Sequence, residues 1–223
     1  MVIELKNVGK TYNVGKDEEV KALSGVDLKI EQGEFICIFG VSGSGKSTLL
    51  HLIGAMDTPT EGSVEYDGKN VAKLSDKEQA CFRNENIGFL FQDYALIPYR
   101  SVEDNFMIPL YFSKFKACEF KEITNKKLEE VGMSQYLRRK VSSLSGGQKQ
   151  KVALARALAC NPSMILCDEP TGALDSKSSE EILNLLLNVK KNGTTVIVVT
   201  HNMMFEGYSD RNIYIKDGHI SET

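Results

Sequence analysis

The chain has 223 residues, of which 42% are hydrophobic and 26% charged, which is ordinary for a globular protein with one large domain. Its net charge of −3 argues against nucleic acid as a partner, because proteins that bind nucleic acid usually carry a basic surface. The sequence has neither an apolar run of roughly 20 residues that could span a bilayer nor a signal peptide, so we expect a cytoplasmic chain. Five cysteines, an odd number without C-x-x-C spacing, fit that reduced compartment and indicate no metal or redox site.

Apolar runs that alternate with amphipathic stretches predict a layered α/β fold. The first half of the chain contains predicted strands at residues 34–39, 62–66, 70–72 and 86–91. Helices are predicted there at residues 46–55 and 75–84. Asp67-Gly68 marks a hairpin turn. Ser75 and Glu78 have the spacing of a capping box at the start of the second helix.

Strand patterns disappear over residues 93–159, which predicts an inserted helical lobe. The helices of this lobe are predicted at residues 102–111, 118–131 and 146–159. Strands are predicted again at residues 163–167 and 194–200, followed by a hairpin at residues 212–220. Ser178 and Glu181 have capping-box spacing and are predicted to start the helix between those two strands.

A glycine-rich loop lies between the first predicted strand and the first predicted helix. Residues 40–48 read Gly-Val-Ser-Gly-Ser-Gly-Lys-Ser-Thr, which fits the phosphate-loop pattern G-x-x-x-x-G-K-[ST]. Such a loop turns backbone N–H groups toward a phosphate at the positive end of a helix. A chain of this length matches the bare pattern by chance about once in a hundred, so ATP binding is favoured over a flexible loop. The expected ATP contacts are Gly40, Ser42, Gly43, Ser44, Gly45, Lys46, Ser47 and Thr48.

Two carboxylates, Asp168 and Glu169, end the apolar run at residues 164–167. An acid at the end of a strand holds Mg²⁺ in phosphate-loop enzymes, and Asp168 suits that role. Glu169 is then placed to act as the general base for a water that attacks the γ-phosphate. A charged turn after a strand is common, so this reading depends on the phosphate loop.

A second anion site is indicated by residues 144–148, Leu-Ser-Gly-Gly-Gln, at the start of a predicted helix. An ordinary serine-glycine helix cap explains the same residues. One nucleotide rarely needs two such helix starts, so the second would serve a nucleotide that another copy of the chain holds.

Residues 144–148 resemble the signature motif of the ABC (ATP-binding cassette) ATPases. The phosphate loop, Gln92, this motif, Asp168-Glu169 and His201 follow the order of that family over essentially the whole chain. The resemblance implies a single domain over residues 1–223 with the fold of phosphate-loop NTPases. A RecA-like core and an antiparallel β lobe would occupy residues 1–92 and 160–223, and a helical lobe with the signature would occupy residues 93–159.

The resemblance also implies roles for individual residues. Gln92 would touch Mg²⁺ and the attacking water, and His201 would contact the γ-phosphate and orient Glu169. Tyr12 would stack on adenine, although an exposed loop tyrosine is the alternative. The expected catalytic residues are Lys46, Gln92, Glu169 and His201, the expected Mg²⁺ ligands are Ser47, Gln92 and Asp168, and the expected contacts to ATP of the second copy are Ser145, Gly146, Gly147 and Gln148. Asp175 would lie in the loop that crosses between the copies.

The motifs around residues 58–62, 91–98 and 169–175 are similar to the branch of macrolide exporters, lipoprotein-release systems and antimicrobial-peptide exporters. Lys151, Ser179 and Asn202 depart from residues that are usual in the family, and none of these changes removes a catalytic group.

The leading hypothesis is an ATPase subunit whose two copies enclose two ATP molecules and drive a separate membrane permease, for export or extraction of peptides, drugs or lipoproteins. The subunit would then sit on the cytoplasmic face of the membrane, with residues 94–105 against the permease. A soluble ABC ATPase in cofactor assembly is the alternative. A degenerate cassette that only binds ATP is disfavoured, because Lys46, Glu169 and His201 are all present.

Overall fold

The computed structural model describes residues 1–15 and 18–222, with the backbone alone for Glu222. Strands in these ranges are β1 (Ile3–Tyr12), β2 (Val20–Ile30), β3 (Phe35–Phe39), β4 (Glu61–Tyr66), β5 (Lys69–Asn70), β6 (Ile87–Leu90), β7 (Met164–Asp168), β8 (Thr195–Val199), β9 (Arg211–Lys216) and β10 (His219–Glu222). Helices are α1 (Lys46–Ile53), α2 (Asp76–Asn86), α3 (Val102–Tyr111), α4 (Phe120–Glu130), α5 (Gly146–Ala157) and α6 (Ser176–Lys191). Helix α3 begins and ends at the predicted residues, whereas α1 and α5 each end two residues earlier than predicted.

Two sheets organise the chain. The first is antiparallel, in the order β2-β1-β4-β5. The second has the order β10-β9-β3-β8-β7-β6, in which β9 through β6 are parallel and β10 is an antiparallel edge. The α/β fold class predicted from the alternating apolar runs is confirmed.

Strand β3 lies in the middle of the core and is buried along its whole length. Ile36 and Ile38 pack with the apolar face of α1 on one side of the sheet. Phe35 and Cys37 pack with α6 on the other side. A strand covered on both faces has no polar alternation, which is why this part of the sequence is a continuous apolar run.

Helices α3, α4 and α5 share a cluster of their own. Val102 and Phe106 from α3, Leu128 from α4 and Val152 from α5 are fully buried in it. The predicted limits of the helical lobe at residues 93 and 159 stay a prediction.

Of the two capping boxes predicted from the sequence, one is correct and one is wrong. Ser75 caps α2, and its backbone N–H donates to Glu78 at 2.9 Å, so the predicted capping box is confirmed. The capping box predicted at Ser178 and Glu181 is wrong. Helix α6 begins at Ser176, and the side chain of Asp175 caps it by accepting a hydrogen bond from the N–H of Ser178 at 2.9 Å. Aspartate competes well with serine as a helix cap.

The antiparallel sheet differs most from the predicted elements. The strand predicted at residues 70–72 is wrong beyond Asn70, because the Asn70 side chain accepts from the N–H of Ala72 and starts a short 3₁₀ turn. Strands β1 and β2 are absent from the elements predicted above. Their pairing register shifts three times between Leu5 and Thr11. Each shift interrupts the two-residue alternation by which a strand is recognised.

Two phenylalanines near α3 provide a stability test. Phe106 is fully buried, whereas Phe112, just after the helix, is 75% exposed. We expect Phe106→Ala to lower the free energy of unfolding by about 3–5 kcal/mol, since it leaves a cavity in the helical cluster. Phe112→Ala should change it by less than about 0.5 kcal/mol. Urea unfolding followed by circular dichroism measures both, and equal effects would contradict the burial described here.

Candidate active site

A cavity of about 690 Å³ opens where β3, β7 and β8 end. Most of the predicted site residues line it, namely Tyr12, Gly40, Ser42, Gly43, Gly45, Lys46, Ser47, Thr48, Gln92, Asp168, Glu169 and His201. The parallel register aligns Ile38, Val199 and Asp168 in one row of the sheet. Segments that are far apart in sequence therefore reach the cavity together, as expected for the carboxyl end of a parallel sheet.

The loop at residues 40–48 needs glycine at two of its positions. Gly45 has φ of 107°, and a Cβ there would lie 2.6 Å from the carbonyl oxygen of Ala22. A Cβ on Gly40 would lie 2.5 Å from the carbonyl oxygen of Ile215. The loop therefore packs tightly on neighbouring backbone while its other side remains open to the cavity. Among the contacts predicted in this loop, Ser44 is the exception, because its side chain is buried and does not line the cavity.

Lys46 begins helix α1 and folds back over the loop. Its ammonium donates to the carbonyl oxygens of Gly40 at 2.8 Å and Val41 at 2.9 Å. The start of α1 adds unpaired backbone N–H groups and the positive end of the helix dipole. Together these groups make a site for an anion of the size of a phosphate.

Asp168 and Ser47 lie together at the end of β7 and the start of α1. Both side chains line the cavity. Burial raises the pKa of Asp168, against the opposite effect of the Ser47 hydrogen bond. A bound cation would reverse that shift.

This pair of oxygen atoms fits Mg²⁺ that arrives with a nucleotide, since Mg²⁺ takes one or two protein ligands and fills its shell with phosphate and water oxygens. Among the described residues, no cluster of three or more His, Cys, Asp or Glu side chains could hold a metal without a nucleotide.

Glu169 is held in an unusual conformation next to Asp168. Its φ of 46° is left-handed, which is strained for a residue with a side chain. The Oε1 atom lies 2.8 Å from Nδ1 of His201, and Oε2 accepts a hydrogen bond from the Thr200 hydroxyl at 2.9 Å. Glu169 and His201 are thus in direct contact.

Gln92 and Tyr12 approach the cavity from outside the large sheet. Gln92 is exposed and lies next to Gly172, where an added Cβ would be 3.3 Å from the Gln92 Nε2 atom. Tyr12 ends β1, and its hydroxyl donates to Asp57 at 3.2 Å. Lys10 lies 5.0 Å from the centre of the Tyr12 ring.

The signature residues do not line this cavity. Ser145 caps α5 by accepting from the N–H of Gln148 at 3.4 Å, and the backbone N–H of Ser145 donates to the Gln148 side chain at 3.0 Å. Gln148 also donates to the hydroxyl of Tyr136 at 3.0 Å. Gly147 packs so closely on α6 that a Cβ there would lie 2.6 Å from the Ser178 hydroxyl. The helix-cap explanation therefore holds within one chain, and whether a second copy uses Ser145 to Gln148 stays a prediction.

Thr200 and Asp57 contact site residues but were not predicted from the sequence. Thr200 is fully buried and bonds Glu169, while Asp57 bonds Tyr12 and Lys10. A hydroxyl residue between an apolar strand and His201 was a usable signal for Thr200. No comparable signal marks Asp57, because its contact depends on the path of β1.

A phosphate loop after β3, an acid pair at the end of β7, with β8 between these two strands, and an open cavity at their ends define a phosphate-loop nucleotide hydrolase. The model of the family described as "ABC transporter" matches residues 23–172. The chain belongs to the ABC transporter family, and it is an ATP-hydrolysing subunit. The fold predicted for these ATPases and the predicted ATPase activity are confirmed.

Relatives extend the match to nearly the whole chain. An uncharacterized ABC transporter ATP-binding protein of Bacillus subtilis, YknY, is 42% identical over 219 residues, which are 98% of this chain and 95% of the relative. The macrolide export ATP-binding/permease protein MacB of Chlorobaculum tepidum is 45% identical over 217 residues, and this chain spans only 33% of that relative. These matches confirm the predicted branch.

A solved structure shares the fold closely. The dimeric ATP-binding cassette MJ0796 of Methanocaldococcus jannaschii, described in a post-hydrolysis state bound to ADP and Pi, has a TM-score of 0.90 and 43% identity. The match covers 99% of this chain and 97% of that one. Within residues 1–15 and 18–222, none of the helices is long and apolar enough to cross a membrane.

The contact between Gly147 and Ser178 provides a test of why glycine is needed in the signature. We expect Gly147→Ala to lower the free energy of unfolding by about 1–3 kcal/mol through overpacking. Adding Ser178→Ala removes the hydroxyl that the new methyl group would meet, and should restore part of the loss. Urea unfolding of both proteins and of Ser178→Ala alone gives the comparison. If the double variant is no more stable than Gly147→Ala, the contact with Ser178 is not the reason that residue 147 must be glycine.

Proposed function

We propose that the cavity binds ATP and that the residues around it hydrolyse the γ-phosphate bond. Lys46 would leave the carbonyl oxygens of the loop and bind the β- and γ-phosphates. The loop at residues 40–48 would hold the phosphates with its backbone N–H groups, and Tyr12 would stack on adenine. The proposal depends most on the contact of Glu169 with His201, which lies in the same cavity as this loop.

Glu169 would act as general base and accept a proton from the attacking water. His201 would hold the carboxylate in place and contact the γ-phosphate, while Gln92 would orient the water from the other side of the cavity. General bases contribute about 10²–10⁴-fold to a rate, and their position must be accurate for that effect. Two hydrogen-bonding partners on the two oxygens of Glu169 support this role.

Ser47, Asp168 and Gln92 would hold Mg²⁺ together with the nucleotide. When bound, the cation neutralises charge that develops on the phosphate oxygens. Asp168 is suited to this position because it lines the cavity at the end of β7, where burial raises its pKa and a bound cation would favour the carboxylate.

Two copies of the chain would form the complete site. The cavity of one copy contains no residue of the signature, and Ser145 to Gln148 start a helix with an exposed N-terminus. In a dimer, this helix start would bind the phosphates held by the other copy. The description of MJ0796 as a dimer bound to ADP and Pi supports the arrangement.

The ATPase would drive a membrane permease and would be held at the cytoplasmic face of the membrane through it. A groove of about 240 Å³ between β6, α3 and α5 is lined by apolar side chains that include Phe89, Phe91 and Ile108. Residues 94–105, the segment predicted to contact the permease, follow Phe91 of this groove along the chain. Tyr99 in this segment is 71% exposed. Exposed apolar surface of this kind marks an interaction site.

Export is the direction of transport that we propose, with peptides, drugs or lipoproteins as the transported class. The macrolide exporter MacB is among the relatives, and its name supports this direction. The alternative role in cofactor assembly gains no support, since the relatives named above are components of transporters by their names.

Glu169→Gln tests the general base and the dimer in one protein. We expect the rate of ATP hydrolysis to fall at least about a hundredfold, because the amide cannot accept the proton. ATP should still bind, and size-exclusion chromatography with ATP and Mg²⁺ should show a stable dimer. Hydrolysis near the wild-type rate would contradict the role of Glu169.

Two serine variants, each combined with Glu169→Gln, test whether the signature of one copy binds the nucleotide held by the other. Ser145→Asp keeps a good helix cap and adds a negative charge that repels phosphate, so it should abolish the ATP dimer. Ser75→Asp makes the same change at the cap of α2 and should leave the dimer intact. Nucleotide affinity of the monomer should be unchanged in both. A dimer that tolerates Ser145→Asp would contradict the composite site.

Thr200 offers a conservative test of how Glu169 is held. Thr200→Val keeps the shape of the side chain but removes the hydroxyl that bonds Oε2, whereas Thr200→Ser keeps the hydroxyl. A hydrogen bond to a carboxylate contributes about 1.5–3 kcal/mol, so Thr200→Val should lower kcat by about tenfold or more. Thr200→Ser should retain most of the activity. Steady-state ATPase assays decide this, and equal rates in the two variants would exclude the hydroxyl as the important group.

A further inference from the structure

Arg156 connects the end of the signature helix α5 to the segment that follows Gln92. Its side chain is half-buried. One guanidinium nitrogen donates to the carbonyl oxygen of Ala95 at 2.5 Å, and the other donates to that of Tyr94 at 3.2 Å. A planar guanidinium can hold two acceptors in a fixed arrangement, which the point charge of a lysine cannot do.

The two residues that Arg156 holds are strained. Tyr94 has φ of 66° and Ala95 has φ of 47°, so two consecutive residues with side chains are left-handed. Such conformations persist only where surrounding contacts enforce them, and they concentrate at functional sites. Besides Arg156, the Asp93 carboxylate supports the turn by accepting from the N–H of Ala95 at 3.2 Å. The strained turn begins two residues after Gln92.

The same helix contacts the active-site segments elsewhere along its length. The Tyr94 hydroxyl lies across the start of α5, where a Cβ on Gly146 would be 3.1 Å from it. Gln150 is buried, and its amide donates to the carbonyl oxygen of Pro170 at 2.7 Å, directly after Glu169. Helix α5 is therefore attached both to the turn after Gln92 and to the turn after Glu169.

We propose that Arg156 is a positioning residue for ATP hydrolysis, which fixes the strained turn at Tyr94 and Ala95 to the signature helix so that Gln92 moves with that helix. When the start of α5 binds the nucleotide of the second copy, Arg156 carries the displacement to Gln92 in its own copy. Arg156 does not touch the nucleotide itself. This inference rests on the proposed composite site, and it adds the connection by which one site regulates the other.

Arg156→Met tests the proposal, because it keeps a long apolar side chain and removes both hydrogen bonds. We expect kcat to fall about tenfold to a hundredfold, the range given by charge-assisted hydrogen bonds, with KM within about twofold of wild type. Nucleotide affinity of the monomer and the thermal unfolding midpoint should change little. Arg156→Lys, which can bind only one of the two carbonyls well, should recover part of the kcat.

Lys151→Met is the matched control on the same helix. Lys151 pairs with Glu181 of α6 at 2.7 Å, away from the carbonyl oxygens that Arg156 binds, so its loss should leave kcat unchanged. The proposal is overturned if Arg156→Met keeps kcat within about twofold of wild type, or if kcat falls only in proportion to lost folded protein in both Arg156 variants. Wild type and Glu169→Gln are assayed in parallel. If wild type hydrolyses ATP and Glu169→Gln forms a stable dimer with ATP, the proposed function holds. A negative result for Arg156→Met would then contradict only the role of Arg156.

Discussion

The parallel pairing of β3, β8 and β7 places the ends of three distant segments at one edge of the large sheet. Ile38 and Asp168 are both in register with Val199, so the phosphate loop, the acid pair and Thr200-His201 emerge from neighbouring strands. All three strands are buried on both faces for most of their length. A one-residue slip in any pairing would turn its core side chains to the wrong face, and the buried core prevents such a slip. The geometry of the site is therefore a result of core packing.

The sequence predicted the large sheet well and the antiparallel sheet poorly, and most of the residues predicted for the site line one cavity. Strands such as β3 and β8 are continuous apolar runs, and residues 40–48 carry a pattern tied to one local conformation. Strands β1 and β2 leave no such pattern because their register shifts. The start of α6 was placed wrongly because two candidate caps, Asp175 and Ser178, lie three residues apart, and only packing decides between them. The contacts of Thr200, Asp57 and Arg156 required coordinates, since each joins residues that are more than 30 positions apart.

Helix α5 has two kinds of surface that serve different parts of the molecule. Its cap Ser145 is exposed, and its glycines allow close approach by α6 and by Tyr94. Its buried side contributes Val152 and Ala155 to the helical cluster and Ala153 and Leu154 to the core of the large sheet. A helix that belongs to two clusters cannot shift without moving both, and buried packing is not continuously deformable. If the composite site forms as proposed, this packing is the mechanical basis on which an event at Ser145 would reach Gln92 and Glu169.

The folded-back position of Lys46 has a consequence for product release. Two carbonyl oxygens of the loop accept hydrogen bonds from the ammonium, at 2.8 and 2.9 Å. Departure of ADP would not leave a bare cation in a half-enclosed site, because these oxygens take over the hydrogen bonds. On the proposed role of Lys46, the loop itself would therefore make the release of ADP less unfavourable. A subunit that empties its site in every turnover would then have a lysine with hydrogen-bonding partners both before and after ADP leaves.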